Sequence, residues 1–196
     1  MTRGASAWLA VAALLGVIAF GGAALPHASI DWQPALAWRE PWRTFSAVGV
    51  HYSAQHLLVN AVGLAVAAVF GVVAGVPARI AGAWLAAWPL TQLGLLSRPD
   101  LAHYGGLSGV LHGGVAAVCV SLLVLGTRAQ RIVGGVVLAG LCVKIVGESP
   151  WGPTLRHAQG LDIAVAPLAH ATGALAGAAC AALALWLGRP HGEPGR

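Results

Sequence analysis

The stretch GLSGVLHGGVAAVCVSLLVL, residues 106–125, places a serine and a histidine at one end of an otherwise apolar run. A helix needs roughly 17 to 25 mainly apolar residues to cross a hydrocarbon layer of about 30 Å. Ser108 and His112 lie four residues apart, so such a helix presents both side chains on one face. The stretch therefore predicts a membrane-spanning helix over 108–125 that carries a hydroxyl and an imidazole.

The composition of the whole chain indicates a membrane protein. Of its 196 residues 58% are apolar and only 9% are charged, and the mean hydropathy is +0.77. A soluble domain of this length could not bury so much apolar surface. The apolar blocks are unbroken, which argues against the alternating pattern of membrane strands. We predict an all-α bundle of six transmembrane helices, at 7–24, 55–74, 80–96, 108–125, 132–146 and 166–187.

These segments form a single predicted domain over residues 1–188, followed by a short polar cytoplasmic tail over 189–196, RPHGEPGR. The first segment also has an alternative interpretation. Arg3 precedes an apolar run that ends in small residues, which is typical of a cleaved signal peptide, although the run is long for one.

The distribution of charge predicts the orientation. With the amino terminus in the cytoplasm, the inner ends and loops carry six arginines against one acid, and the outer face balances five basic with five acidic residues. The net charge of +5 therefore lies on the inner side, as expected for cytoplasmic loops. No basic run interleaved with aromatics indicates nucleic-acid binding.

Polar residues within a membrane span are costly and call for an explanation. In HYSAQHLLVN, His56 and Asn60 share one helix face, and His51 lies just before the helix. In LAHATGALAG, His170 lies on the same face as Gly173 and Gly177, which allow a second helix to approach closely.

Together these residues predict the active site of a serine hydrolase. Ser108 lies at a helix start, where free N–H groups favour a developing anion. If the helices of Ser108 and His170 dock through their glycines, His170 can act as the base, and His56 with Asn60 can bind an oxyanion. His112 remains an alternative base, because it follows Ser108 by one helical turn. No acid is expected at membrane depth, which predicts a Ser–His dyad.

The pattern resembles the rhomboid intramembrane serine proteases in its number of spans and in the order and spacing of its motifs. The residues that carry the resemblance are the Trp42–Arg43 pair, HxxxxHxxxN at His51, His56 and Asn60, GxSG with Gly106, Ser108 and Gly109, and AHxxGxxxG with His170, Gly173 and Gly177. The resemblance implies that Ser108 is the nucleophile and His170 the base, and that His56 and Asn60 line the oxyanion hole.

Within that family, YGGLSGVLHG and KIVGE are most similar to the rhombosortase branch. Two positions depart from its pattern, because Ser149 follows Glu148 where a glutamine is expected and His103 stands where an aromatic is expected. The branch implies a multi-pass protein of the bacterial inner membrane. Its partners would be the lipid bilayer and single-span substrates with a Gly-rich carboxy-terminal segment, cut near the outer end of their helix.

Two other functions compete with proteolysis. A catalytically inactive rhomboid-like protein would bind membrane clients without cutting them, although the retained serine and histidines argue against this interpretation. A haem carrier using His56 with His112 or His170 would leave the GLSG motif unexplained. HExxH is absent from the sequence, and its three cysteines form no CxxC pair, so we expect no cofactor and no metal.

Overall fold

The computed structural model describes residues 1–157, 160 and 162–188 and is mostly helical. The predicted tail, 189–196, lies outside the described residues, so the domain boundary at 188 stays a prediction. The α-helices are α1 (Arg3–Gly22), α2 (His27–Ile30), α3 (Arg43–Ser46), α4 (Ala54–Ala74), α5 (Ala78–Leu93), α6 (Ser108–Leu125), α7 (Arg128–Glu148) and α8 (Pro167–Leu187). Short 3₁₀ helices are present at Pro34–Leu36, Ala47–Gly49 and Gly94–Ser97, and two strands, β1 (Arg156–His157) and β2 (Ala164–Val165), pair antiparallel.

Five of the described helices, α1, α4, α6, α7 and α8, are long and apolar enough to cross a membrane. The chain is therefore an integral, multi-pass membrane protein. The sixth predicted span corresponds to α5, which has 16 residues, contains Pro89 and continues into the 3₁₀ turn Gly94–Ser97. A six-span count stays a prediction, because 16 residues rise only about 24 Å at ~1.5 Å each.

The predicted span over 132–146 is too short at both ends. Helix α7 begins at Arg128 because Thr127 and Gln130 form a capping box, in which each side chain bonds the other's backbone N–H. It ends at Glu148, and Ser149 adopts the left-handed conformation that terminates it. Lys144 and Glu148, assigned from the sequence to the outer end and loop, therefore belong to the last turns of the helix.

The centre of the bundle is built on two tryptophans. Trp8 of α1 and Trp84 of α5 stack with ring centroids 4.3 Å apart. Each indole also donates a hydrogen bond to a carbonyl of a neighbouring helix, Trp8 to Ala67 at 3.0 Å and Trp84 to Val110 at 2.8 Å. Because α1 supplies fully buried side chains to this core, its packing favours a retained helix over a cleaved signal peptide.

Helices α6 and α8 are in backbone contact along their glycines. A Cβ added to Gly173 would lie 1.9 Å from the carbonyl oxygen of Gly109, and one added to Gly177 would lie 2.0 Å from that of Gly113. Neither distance leaves room for a methyl group, so the approach requires glycine at both positions of α8. The two glycine stripes of the sequence thus lie against each other.

Helix α7 packs far more loosely. All of its residues are described, and Gly134, which faces α6, is its only buried residue. The rest of the helix presents aliphatic side chains outward, among them Val136 and Val143. A lipid-facing helix has this character, because lipid satisfies apolar side chains as well as a protein core does.

The chain between α1 and α4 forms a folded loop, called the outer loop after the predicted orientation, which contacts the segment that precedes α6. Trp32 and Tyr104 exchange two backbone hydrogen bonds, of 2.7 and 2.9 Å. Tyr104 lies four residues before Ser108, so the outer loop is attached to the chain that enters α6.

Candidate active site

Ser108 and His170 lie within hydrogen-bond distance of each other. Ser108 is the first residue of α6, and His170 lies in the first turn of α8. The glycine contact between these helices brings Nε2 of His170 to 2.9 Å from Oγ of Ser108. The imidazole is 5% exposed and the serine is half-buried, an arrangement suited to proton transfer between them.

The His112 side chain contacts a backbone carbonyl rather than the Ser108 hydroxyl. Its Nδ1 lies 2.7 Å from the backbone carbonyl oxygen of Ser108, and its ring stacks on that of His170 with centroids 4.1 Å apart and 11° between the planes. The nitrogen bonded to the serine carbonyl must be the protonated one, since a carbonyl only accepts. His112 therefore contacts the base rather than the serine hydroxyl.

The structure contradicts the expectation that no acid reaches the base. Glu148, the last residue of α7, places Oε2 2.6 Å from Nδ1 of His170. The other carboxylate oxygen, Oε1, lies 2.6 Å from Nζ of Lys144, one turn earlier on α7. The expectation that no acid lies beside His170 is therefore wrong, because the predicted span ended at residue 146 and left Glu148 outside the helix.

The backbone before Ser108 approaches two polar side chains of α4. Gly106 has a φ of 125°, which disfavours any residue with a side chain, and its N–H donates to the carbonyl of Ala47. A Cβ at Gly106 would lie 2.8 Å from Nε2 of His56 and 4.0 Å from Nδ2 of Asn60. Asn60 also donates to the carbonyl of His56 at 3.1 Å, which fixes the amide.

His51 lies behind this pair. Its ring is 5% exposed and its centroid is 4.8 Å from that of His56. Burial lowers the pKa of His51, so the ring is neutral at physiological pH. Among the described residues neither of its nitrogens has a hydrogen-bond partner.

A cavity of about 320 Å³ opens beside Ser108. Its lining includes the polar side chains of Tyr52, His56, His103 and Tyr104 and the apolar residues Leu155 and 163–166, which include β2. Apolar walls with a few polar groups are typical of a site that binds a substrate.

The Trp42–Arg43 pair lies outside this cavity. Trp42 is 54% exposed, whereas the Arg43 guanidinium is buried and bonds the carboxylate of Asp31 at 3.1 Å and that of Glu40 at 2.5 Å. It also donates to the backbone carbonyls of Ala28 and Asp31. Arg43 thus holds the outer loop together.

Asp31 and His103 connect this loop to the cavity, although the sequence predicted no site role for either residue. Asp31 is 1% exposed, and its Oδ2 lies 2.6 Å from Nδ1 of His103 in the cavity wall. The contact joins residues far apart in the chain, so no local pattern could have indicated it. No group of three or more His, Cys, Asp or Glu side chains in the described part of the chain is placed to hold a metal ion.

The Rhomboid domain model matches residues 38–187. The chain belongs to the rhomboid family. Rhomboids are serine intramembrane proteases, and the family also includes inactive members. No curated protein and no solved structure matches the chain. The matched range contains Ser108, His170, Glu148, His56 and Asn60.

Proposed function

We propose that this rhomboid is an active serine endopeptidase in which Ser108 is the nucleophile and His170 is the general base. The observation that carries the proposal is the 2.9 Å contact between Oγ of Ser108 and Nε2 of His170 at the wall of an open cavity. An inactive client-binding protein has no need for a serine and an imidazole in this arrangement.

The proposed chemistry follows from the contact between Nε2 of His170 and Oγ of Ser108. Oγ of Ser108 attacks the scissile carbonyl while Nε2 of His170 takes its proton, and the carbonyl oxygen becomes an oxyanion. When the C–N bond breaks, Nε2 returns the proton to the leaving amine. A water molecule, activated by the same nitrogen, then hydrolyses the acyl-serine and restores the enzyme.

The oxyanion is assigned to the side of Ser108 on which Gly106 lies. His56 and Asn60 are held there by α4, and the first N–H groups of α6 have no partner within the helix. Donors fixed in advance at this point stabilise the developing charge more than water would. The glycine at 106 keeps the approach open, because a side chain there would contact His56.

The substrates we propose are single-span proteins with an outer globular domain and a Gly-Gly pair at the outer end of the span. A helix hides its carbonyls, so cleavage requires a sequence that unwinds, and glycine disfavours helix by about 1 kcal/mol relative to alanine. The small residues Gly105, Ala164 and Ala166 in the cavity wall suit an extended Gly-rich chain. The similarity of YGGLSGVLHG and KIVGE to rhombosortases supports the same substrate class.

The proposed setting is the bacterial inner membrane with the amino terminus in the cytoplasm. The excess of arginine at the amino end and in the loops 75–77 and 126–127 with their flanking residues supports this orientation. It directs the start of α6, and with it the cavity, to the outer face.

A fluorophosphonate probe tests the nucleophile. We expect the purified protein to be labelled and Ser108→Ala to be unlabelled. Ser121→Ala is the matched control, because Ser121 is also on α6 but is buried away from the cavity, and it should be labelled like the wild type. Equal labelling of all three, or of none, would contradict the proposal, and the second result would favour a client-binding protein.

A reconstituted substrate tests the cleavage site. An exported domain followed by Gly-Gly, an apolar helix and a basic tail should be cut near the glycines by the wild type and left intact by Ser108→Ala. The same substrate with Leu-Leu should resist cleavage, because leucine keeps the helix wound. Equal cutting of the two substrates would refute the Gly-Gly model and leave the protease assignment intact.

A further inference from the structure

Glu148 contacts the base on the nitrogen that faces away from the serine. His170 places Nε2 2.9 Å from Oγ of Ser108 and Nδ1 2.6 Å from Oε2 of Glu148, and Nζ of Lys144 lies farther from Nδ1, at 3.4 Å. An ionised carboxylate can only accept hydrogen bonds, so Nδ1 must carry the proton and Nε2 must present its lone pair to the serine. Glu148 thereby selects the tautomer that the reaction requires.

The carboxylate is itself held in place. Lys144 donates to Oε1 at 2.6 Å, so the two oxygens have separate partners and the group cannot rotate freely. The Arg156 guanidinium donates to the backbone carbonyl of Glu148 at 2.8 Å and fixes the end of α7. These contacts direct Oε2 at the imidazole, although the glutamate side chain is 24% exposed.

We propose that Glu148 is a positioning residue that extends the Ser108–His170 pair to a triad, and that Lys144 orients its carboxylate. The inference rests on the proposed function. During attack His170 becomes an imidazolium, and the adjacent carboxylate stabilises that charge as it forms without taking the proton. His112 stacks on the ring, so the imidazole is restrained both by its edge contact with Glu148 and by a face.

The competing interpretation is that Glu148 serves only as the counter-ion of Lys144. The two interpretations differ for a double variant. If the carboxylate only neutralises Lys144, then Lys144→Met combined with Glu148→Gln removes both charges and restores activity. If it orients His170, the double variant remains as slow as Glu148→Gln alone.

The experiment measures kcat, KM and the rate of fluorophosphonate inactivation, with thermal stability followed in parallel. We expect Glu148→Gln to lower kcat by roughly 100- to 10,000-fold with KM nearly unchanged, because the amide can hydrogen-bond the wrong tautomer. Glu148→Asp should recover part of the loss, and Lys144→Met should lose less than Glu148→Gln. Glu40→Gln is the control, since it neutralises a carboxylate that pairs with Arg43 in the outer loop.

An unchanged kcat in Glu148→Gln, or recovery in the double variant, would overturn the inference. Should the glutamine variants fail to fold, Glu148→Asp decides: a lowered kcat at unchanged KM supports the inference, and the wild-type kcat overturns it. Ser108→Ala is measured beside them. If cleavage and labelling do not depend on Ser108, the proposed function fails, whereas dependence on Ser108 without dependence on Glu148 refutes the triad alone.

Discussion

Helices α6 and α8 pack in direct backbone contact, whereas α7 packs loosely against the same bundle. In the first, glycines bring two backbones together so closely that a single added methyl group would overlap a carbonyl oxygen. In the second, a helix of 21 residues buries only Gly134. Ser108 and His170, the proposed nucleophile and base, lie on α6 and α8, and the Glu148 carboxylate lies on α7. Bond-making atoms need a fixed separation, whereas a helix exposed to lipid does not provide one.

The largest expected effect is the difference in kcat between replacing His170 and replacing His112. His170→Ala removes the group at 2.9 Å from the serine oxygen, and it should lower kcat by about 10⁴-fold or more. His112→Ala removes a ring that contacts a backbone carbonyl and the face of the base, so substantial turnover should remain. Turnover of both purified variants measures the difference. An inactive His112→Ala beside an active His170→Ala would reverse our assignment of the base.

A smaller effect is expected for the two polar residues of α4, His56 and Asn60. Asn60→Ala should lower kcat by roughly 100- to 1000-fold, the usual cost of losing one oxyanion donor, and less if His56 compensates. His56→Ala should behave in the same way. Folding is verified by thermal unfolding in detergent. Folded variants with unchanged kcat would leave both residues as structural polar contacts.

The smallest effect is expected for a glycine-to-alanine substitution, made once where α6 and α8 are in close contact and once in the loosely packed α7. Gly173→Ala should destabilise the fold by about 1 to 3 kcal/mol, since its Cβ would lie 1.9 Å from a carbonyl oxygen and the helices must separate. A shift of about 1 Å between Ser108 and His170 should also lower the rate by roughly 100-fold.

Gly140→Ala on α7 is the matched control, because no atom outside its own helix lies within 4 Å of the added Cβ. Its stability should remain within about 1 kcal/mol of the wild type, with unchanged turnover. Equal losses in the two variants, measured by thermal unfolding and cleavage, would show that α7 is packed as tightly as α8.

The sequence predicted α6 and α8 more accurately than α7. The bounds of α6 match the prediction of 108–125, and the glycine spacing of α8 indicated the close contact, because both depend on local pattern. The predicted end of α7 at residue 146 was wrong because hydropathy alone does not extend a helix to a terminal glutamate. The capping box at Thr127 and the i,i+4 spacing of Lys144 and Glu148 were signals of the longer helix.

Other features had no local signal. The contact of Asp31 with His103 and the pairing of Trp32 with Tyr104 join positions separated by 72 residues. The sequence LAWREPWRTF, residues 36–45, forms part of the outer loop, in which Trp38 and Trp42 are exposed. It could not indicate that Arg43 bonds the same carboxylate as a histidine of the cavity wall, because that contact arises only from the tertiary fold.

The packing of α7 makes the proposed triad depend on contacts at one end of the helix. Because α7 buries a single residue, the ion pair with Lys144 and the hydrogen bond from Arg156 hold Glu148 beside His170. If these contacts opened and Oε2 moved by about 1 Å, it would lie beyond hydrogen-bond range of His170, while the glycine contact would keep His170 beside Ser108. Under the proposed function, a membrane helix that displaced α7 would therefore slow cleavage without separating Ser108 from His170.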